Sequence, residues 1–207
     1  MRAGLHGKNG LNPIVSYRLY TTYCRPRINY GLEVVQINYA EKTELETFER
    51  KLLKNIQGLP DRCANIAAYI LLGATPITVQ IERQSLIVFY NIASNPECIE
   101  YDIATRAIKE DSSLSWFIYI KYLLQKYSLP SAYEIMIDPP KKAAWKDMID
   151  QAIDSYCRQE WEKEKNTKPS LRYLYIQPMP TRTHMLFGRV LAVTQEQSQW
   201  PPSRPAS

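Results

Sequence analysis

The sequence predicts an all-α chain, an irregular multi-helix bundle that ends in a disordered C-terminal tail. Three observations predict it. Apolar residues recur at helical spacing, as in Leu45, Phe48, Leu52 and Ile56, or Val79, Leu86, Val88 and Phe89. A capping residue followed by Pro stands before three such runs, at Asn12-Pro13, Thr75-Pro76 and Asn95-Pro96. Pro is suited to the first helical position because it lacks an amide that would be orphaned there. Strand signals are confined to the short stretches EVVQI and LRYLYI.

Residues 1–11 hold three of the seven glycines and no periodicity, which predicts a flexible N-terminal loop. The first helix is expected from Pro13 to Cys24, with Val15, Leu19, Thr22 and Tyr23 on its packed face. Pro26 should stop it and Gly31 should turn the chain, with Tyr23, Cys24 and Tyr30 packed around the joint. A second helix, about Glu41 to Gln57, starts at a capping box of Asn38 and Glu41 and is closed by Gly58-Leu59-Pro60. Asp61 is the expected cap of a third helix that runs to Leu72 and stops at Gly73. Thr75 opens a fourth, Pro76 to Ala93, and a fifth follows Pro96 to Lys109. Ser112 or Ser113 should cap a sixth over Leu114–Tyr127, and a short helical turn follows Ser131. The longest helix spans about Lys141 to Lys165. Residues 12–168 thus form the helical region, and 169–207, ending in PPSRPAS, read as irregular to disordered.

Apolar content of 45% and charged content of 23% suit a packed core. The net charge of +5 is unevenly spread: nine Lys/Arg against five Asp/Glu in residues 1–60, six against eight in 61–135, and eleven against eight in 136–207. Two positive ends around a slightly negative middle permit a polyanionic partner without requiring one. No signal peptide and no apolar run near the ~20 residues of a membrane span is visible, so an intracellular chain, nuclear or cytoplasmic and not secreted, is expected. Cys24, Cys63, Cys98 and Cys157 form no CxxC pair, and His6 and His184 lie near opposite ends. Buried reduced thiols are therefore expected, with no disulfide framework, metal site or cofactor.

No catalytic constellation emerges. Asp147, Asp150 and Asp154 share a helix face, but Lys146, Gln151 and Arg158 interleave with them, as on a solvated surface. No Ser-His-Asp, Cys-His or phosphate-loop pattern is present. The basic residues leave two readings open, a solubilising face or phosphate contact. Arg25 and Arg27 flank Pro26, and Arg50, Lys51 and Lys54 fall close together on the second helix, where Glu46 is a potential partner for Arg50. Lys141, Lys142 and Lys146 begin the long helix, where positive charge opposes the helix dipole. Trp116, Trp145 and Trp161 are expected in the core.

The order of segments is more specific than any one of them. Tyr23-x-x-Pro26-x-x-x-Tyr30-Gly31-x-Glu33 is followed by Leu45-x-x-Phe48-x-x-Lys51-x-Leu53, then by Ile56-Gln57-Gly58-Leu59-Pro60 and by Gly73-Ala74-x-Pro76-Ile77. Over residues 3–176 this succession resembles the region after the polymerase core in non-LTR (LINE-type) retrotransposon reverse transcriptases. The resemblance implies a helical thumb and the helices following it, without the catalytic palm, since no Asp-Asp dipeptide is present, and without the Cys/His knuckle typical of the family's C-terminal side. It implies a fragment that is not an enzyme by itself. Its expected partners are RNA–DNA or duplex nucleic acid, gripped without sequence preference through Arg25, Arg27, Arg50, Lys51 and Lys54, and the missing polymerase core. The alternative is a helical protein-interaction module with no nucleic-acid role.

Overall fold

The computed structural model describes residues 11–110, 115–168 and 171, and among these every regular element is helical. The order is α1 (Pro13–Leu19), a π-helical turn (Tyr20–Cys24), α2 (Arg25–Asn29), a 3-10 turn (Leu32–Val34), α3 (Tyr39–Gln57), α4 (Asn65–Leu72) and α5 (Ile77–Ala93). Then come α6 (Ile99–Glu110), α7 (Trp116–Lys126), α8 (Ala132–Ile137) and α9 (Lys142–Thr167). EVVQI is thus a 3-10 turn and extended chain rather than a strand. The N-terminal loop, Ser112, Ser113 and the C-terminal tail lie outside the described residues, apart from Leu11 and Leu171.

Several expected boundaries hold for the expected reasons. Asn38 Oδ1 accepts from the Glu41 amide while Glu41 returns the bond to the Asn38 amide, both at 2.9 Å. Ser131 and Glu134 make the same box at the start of α8. Gly58 ends α3 with φ +65°, a conformation that a side chain would strain. Other boundaries shift. α4 begins at Asn65 after a turn closed by Cys63 N–H to Pro60 O, so Asp61 is not its cap. Ser115 takes the capping role on α7.

The largest correction concerns Pro26, which does not stop the first helix. The chain continues helically from Pro13 to Asn29, and Arg25 keeps α-helical angles (φ −58°, ψ −43°) although it precedes a proline. A proline removes one amide and crowds the carbonyl four residues back. The widened turn absorbs that conflict: the Arg25 amide bonds to Tyr20 O, five residues earlier.

α5 is the central helix, packing against α3, α6, α7, α8 and α9. The buried face of α9 is a strict fourfold stripe: Trp145, Ile149, Ile153, Cys157 and Trp161. Trp145 is fully buried, stacks on Tyr90 at 5.9 Å between ring centres, and aims its indole N–H at Leu86 O. Each large apolar side chain buried in this core contributes about 1.5–3 kcal/mol before entropy is counted. A smaller cluster of Ile37, Ile77 and Ile81 lies beneath the 3-10 turn. The Glu33 carbonyl there accepts from Trp116 Nε1 (3.0 Å) and Ser85 Oγ (2.7 Å), fastening the turn to α7 and α5.

Adjacent residues of α5 tie it to its neighbours by charge. Buried Glu82 accepts from Lys126 Nζ (2.6 Å), Lys42 Nζ (3.5 Å) and the Tyr127 hydroxyl, which joins α3, α5 and α7. Arg83 forks onto both oxygens of Asp150 on α9, at 2.6 and 3.0 Å.

Burial, the largest cause in each case, pushes up the pKa of Tyr17, Tyr20, Tyr69, Tyr119, Tyr127 and Tyr156, and raises the Cys157 thiol to about 12. These groups keep their protons to higher pH folded than unfolded. Above their ordinary values of 9.0 for Cys and 10.0 for Tyr the folded chain therefore binds more protons, and stability falls as pH rises. Urea unfolding at stepped pH should show near-constant stability from about pH 7 to 8.5 and a steep loss from about pH 9 to 11. Stability unchanged up to pH ~11 would contradict this burial of phenols and thiol.

Candidate nucleic-acid interface

The eight basic residues singled out by the sequence divide into inward and outward sets. Arg25 and Lys54 point inward and are not available to a phosphate, which corrects the expectation for both. Arg25 is 8% exposed and pairs with Glu49 at 2.8 Å, while buried Lys54 donates to Asp61 O at 2.8 Å. Arg50 is half-buried and bonded along its own helix to Glu46 (3.4 Å) and Thr47 (2.9 Å). Arg27, Lys51, Lys141, Lys142 and Lys146 are exposed. On the α9 face Asp150 holds Arg83, and Asp154 holds Arg158 at 2.8 Å. Among the described residues no cluster of His, Cys, Asp or Glu is placed to hold a metal ion, and no helix is long and apolar enough to cross a membrane.

The feature that composition and spacing did not disclose is Glu49. Its carboxylate is wholly buried and accepts four hydrogen bonds. Oε1 takes Arg25 Nη2 (2.8 Å) and the Tyr20 hydroxyl (3.1 Å); Oε2 takes the Ile77 amide (2.7 Å) and the Tyr69 hydroxyl (3.3 Å). That fills the acceptor sites of a carboxylate. Arg25 also donates to Thr75 O. Glu49 thereby caps α5 from outside through the Ile77 amide; the N-cap position is Pro76, not Thr75, and makes no side-chain bond.

The π turn sets which residues of the first helical segment face this cage. The inward line is Ser16, Tyr20, Arg25 and Asn29, at spacings of four, five and four. The opposite side presents Arg18, Thr22, Tyr23 and Arg27, all exposed. The expected packed face is therefore wrong: Val15, Leu19, Thr22 and Tyr23 are solvent-facing. Tyr23 is 65% and Tyr30 87% exposed, so neither packs around the joint, and Cys24 is exposed as well. Among the tryptophans Trp145 and Trp161 are core residues and Trp116 is half-buried. Of the four free cysteines only Cys157 is buried.

No protein-family model, curated protein or solved structure matches this chain.

Glu49→Gln should cost about 3–5 kcal/mol in urea unfolding, because it leaves the Arg25 charge buried without its counter-ion. Glu46→Gln, which removes the half-exposed i, i+4 ion pair with Arg50 and leaves an oxygen to accept the 2.9 Å bond from Thr78, should cost no more than about 1 kcal/mol. Similar losses at both positions would show that the buried pair is not what holds this corner.

Proposed function

We propose that this chain is a helical accessory region of a reverse-transcriptase-type polymerase, holding nucleic acid through its phosphates without reading base sequence. The observation that carries this reading is the start of α9. Lys141, Lys142 and Lys146 are exposed there, the N-cap makes no side-chain bond, and the first turn holds no acid. Three ammonium groups beside free helix amides repel one another and oppose the dipole, and an anion bound there relieves both. The end is also rigid, since buried Trp145 and the Arg83–Asp150 fork anchor it to α5. Exposed Arg27 and Lys51 add positive charge elsewhere. The ordered motifs shared with non-LTR reverse transcriptases supply the polymerase context, and contact limited to phosphates suits a region that must accept any sequence. On this reading the chain performs no phosphoryl transfer itself.

One observation favours a second reading. Val15 and Leu19 on the first helix, with Leu11 just before it, expose apolar side chains, as a protein-docking module would.

The test is fluorescence anisotropy of a labelled RNA–DNA hybrid titrated with the full chain between about 50 and 200 mM salt. Affinity should fall steeply with salt and vary little with sequence. Lys141→Gln/Lys142→Gln/Lys146→Gln should weaken it and flatten the log–log salt slope by ~0.9 for each phosphate no longer neutralised. Binding that ignores salt, or no binding at the lowest salt, would overturn the proposal and leave the docking-module reading.

A further inference from the structure

The outward side of the first helical segment has a composition that the fold does not explain. From Arg18 to Leu32 the chain holds three arginines and no acid. Arg25 is neutralised inside by Glu49, so Arg18 and Arg27 carry the surface charge. Between and beside them stand two of the most exposed aromatic side chains among the described residues, Tyr23 and Tyr30. An apolar ring left in water at 65% or 87% exposure adds nothing to a core, and among the described residues neither ring stacks on another aromatic.

Their alignment depends on the π turn. In an uninterrupted α-helix Arg18 would share its line with Thr22 and Pro26. The five-residue turn moves Tyr23 into that line, as the inward spacing of four, five and four requires, so that Arg18, Tyr23 and Arg27 run in sequence along the outer side. Tyr23 and Arg27 are then about 6 Å apart along the axis. Tyr30 follows at the helix end, held by the Gly31 turn (φ +79°) and by the clamp on the Glu33 carbonyl. Cations alternating with free aromatic faces on a rigid support match the backbone and unstacked bases of a single strand. In a duplex the bases are stacked on one another and offer no such face.

We infer that Arg18, Tyr23, Arg27 and Tyr30 form a binding line for single-stranded nucleic acid, with bases stacked on the two tyrosines and phosphates at the two arginines. The inference rests on the nucleic-acid reading above and adds a second surface and a strand preference to it. The experiment is anisotropy at low salt with the full chain and three probes of equal length: a mixed-sequence single strand, its duplex, and a strand carrying abasic sites. The single strand should bind more tightly than the duplex. Tyr23→Ala/Tyr30→Ala should weaken single-strand binding about tenfold or more, and Tyr23→Phe/Tyr30→Phe should preserve it, because stacking needs only the ring. The abasic strand should bind the unaltered chain as weakly as the intact strand binds the Ala variant. An unchanged affinity in the Ala variant, equal binding of the abasic strand, or preference for the duplex would overturn the inference while leaving phosphate contact at α9 standing. Failure of all three probes to bind would overturn both.

Discussion

The packing of the N-terminal half depends on one buried carboxylate. Glu49 has no solvent to fall back on, so its charge is tolerable only if every acceptor site is filled and a cation lies beside it. The chain meets that demand from three separated segments, through Tyr20 and Arg25 of the first helical segment, Tyr69 of α4 and Ile77 of α5. The same demand accounts for the helical path through Pro26. Arg25 reaches Glu49 only if it faces inward, and the π turn rotates it there in place of Cys24. Local strain at a proline is thereby traded against a charge that would otherwise be buried alone.

This arrangement also gives a physical reason for the order of motifs along the sequence. Arg25 lies within the Tyr23–Glu33 pattern, Glu49 within the Leu45–Leu53 pattern, and Ile77 closes the Gly73–Ile77 step. Three patterns dispersed over more than fifty positions meet at a single ion pair. Their co-occurrence reports a shared packing requirement, and the surface chemistry that would bind a partner lies on residues around them. Glu82 and the Arg83–Asp150 fork repeat the logic on the other side of α5, where cations and hydroxyls from neighbouring helices fix the orientation that apolar packing alone leaves loose.

The helical class, most helix ends and the core placement of Trp145 and Trp161 were legible in the sequence because they depend on local signals: capping boxes, terminal glycines and large aromatic rings in a helical run. Legibility failed where a distant residue overrode a local rule. Pro26 and Thr75 read as a stop and a cap on local grounds, and both readings were displaced by the bond between Arg25 and Glu49, which stand 24 positions apart. The same failure reached the site. Arg25 and Lys54 read as surface cations because nothing nearby reveals their acceptors, the buried Glu49 carboxylate and the Asp61 carbonyl. Tyr23 read as packing because it was counted with the apolar Val15 and Leu19, and that whole face is exposed, Val15 and Leu19 already standing outside before the widened turn begins. The lysines beginning α9 remained on the surface, since helix-start charge is itself a local property.

The central claim is that the Arg25–Glu49 pair couples the first helical segment to α3 and α5. A double-mutant cycle of Arg25→Met and Glu49→Gln, read by urea unfolding, tests it most directly because it removes effects that belong to either residue alone. The account predicts that the two losses are far from additive, with a coupling energy of about 2 kcal/mol or more. Losses that add to within ~0.5 kcal/mol would contradict it.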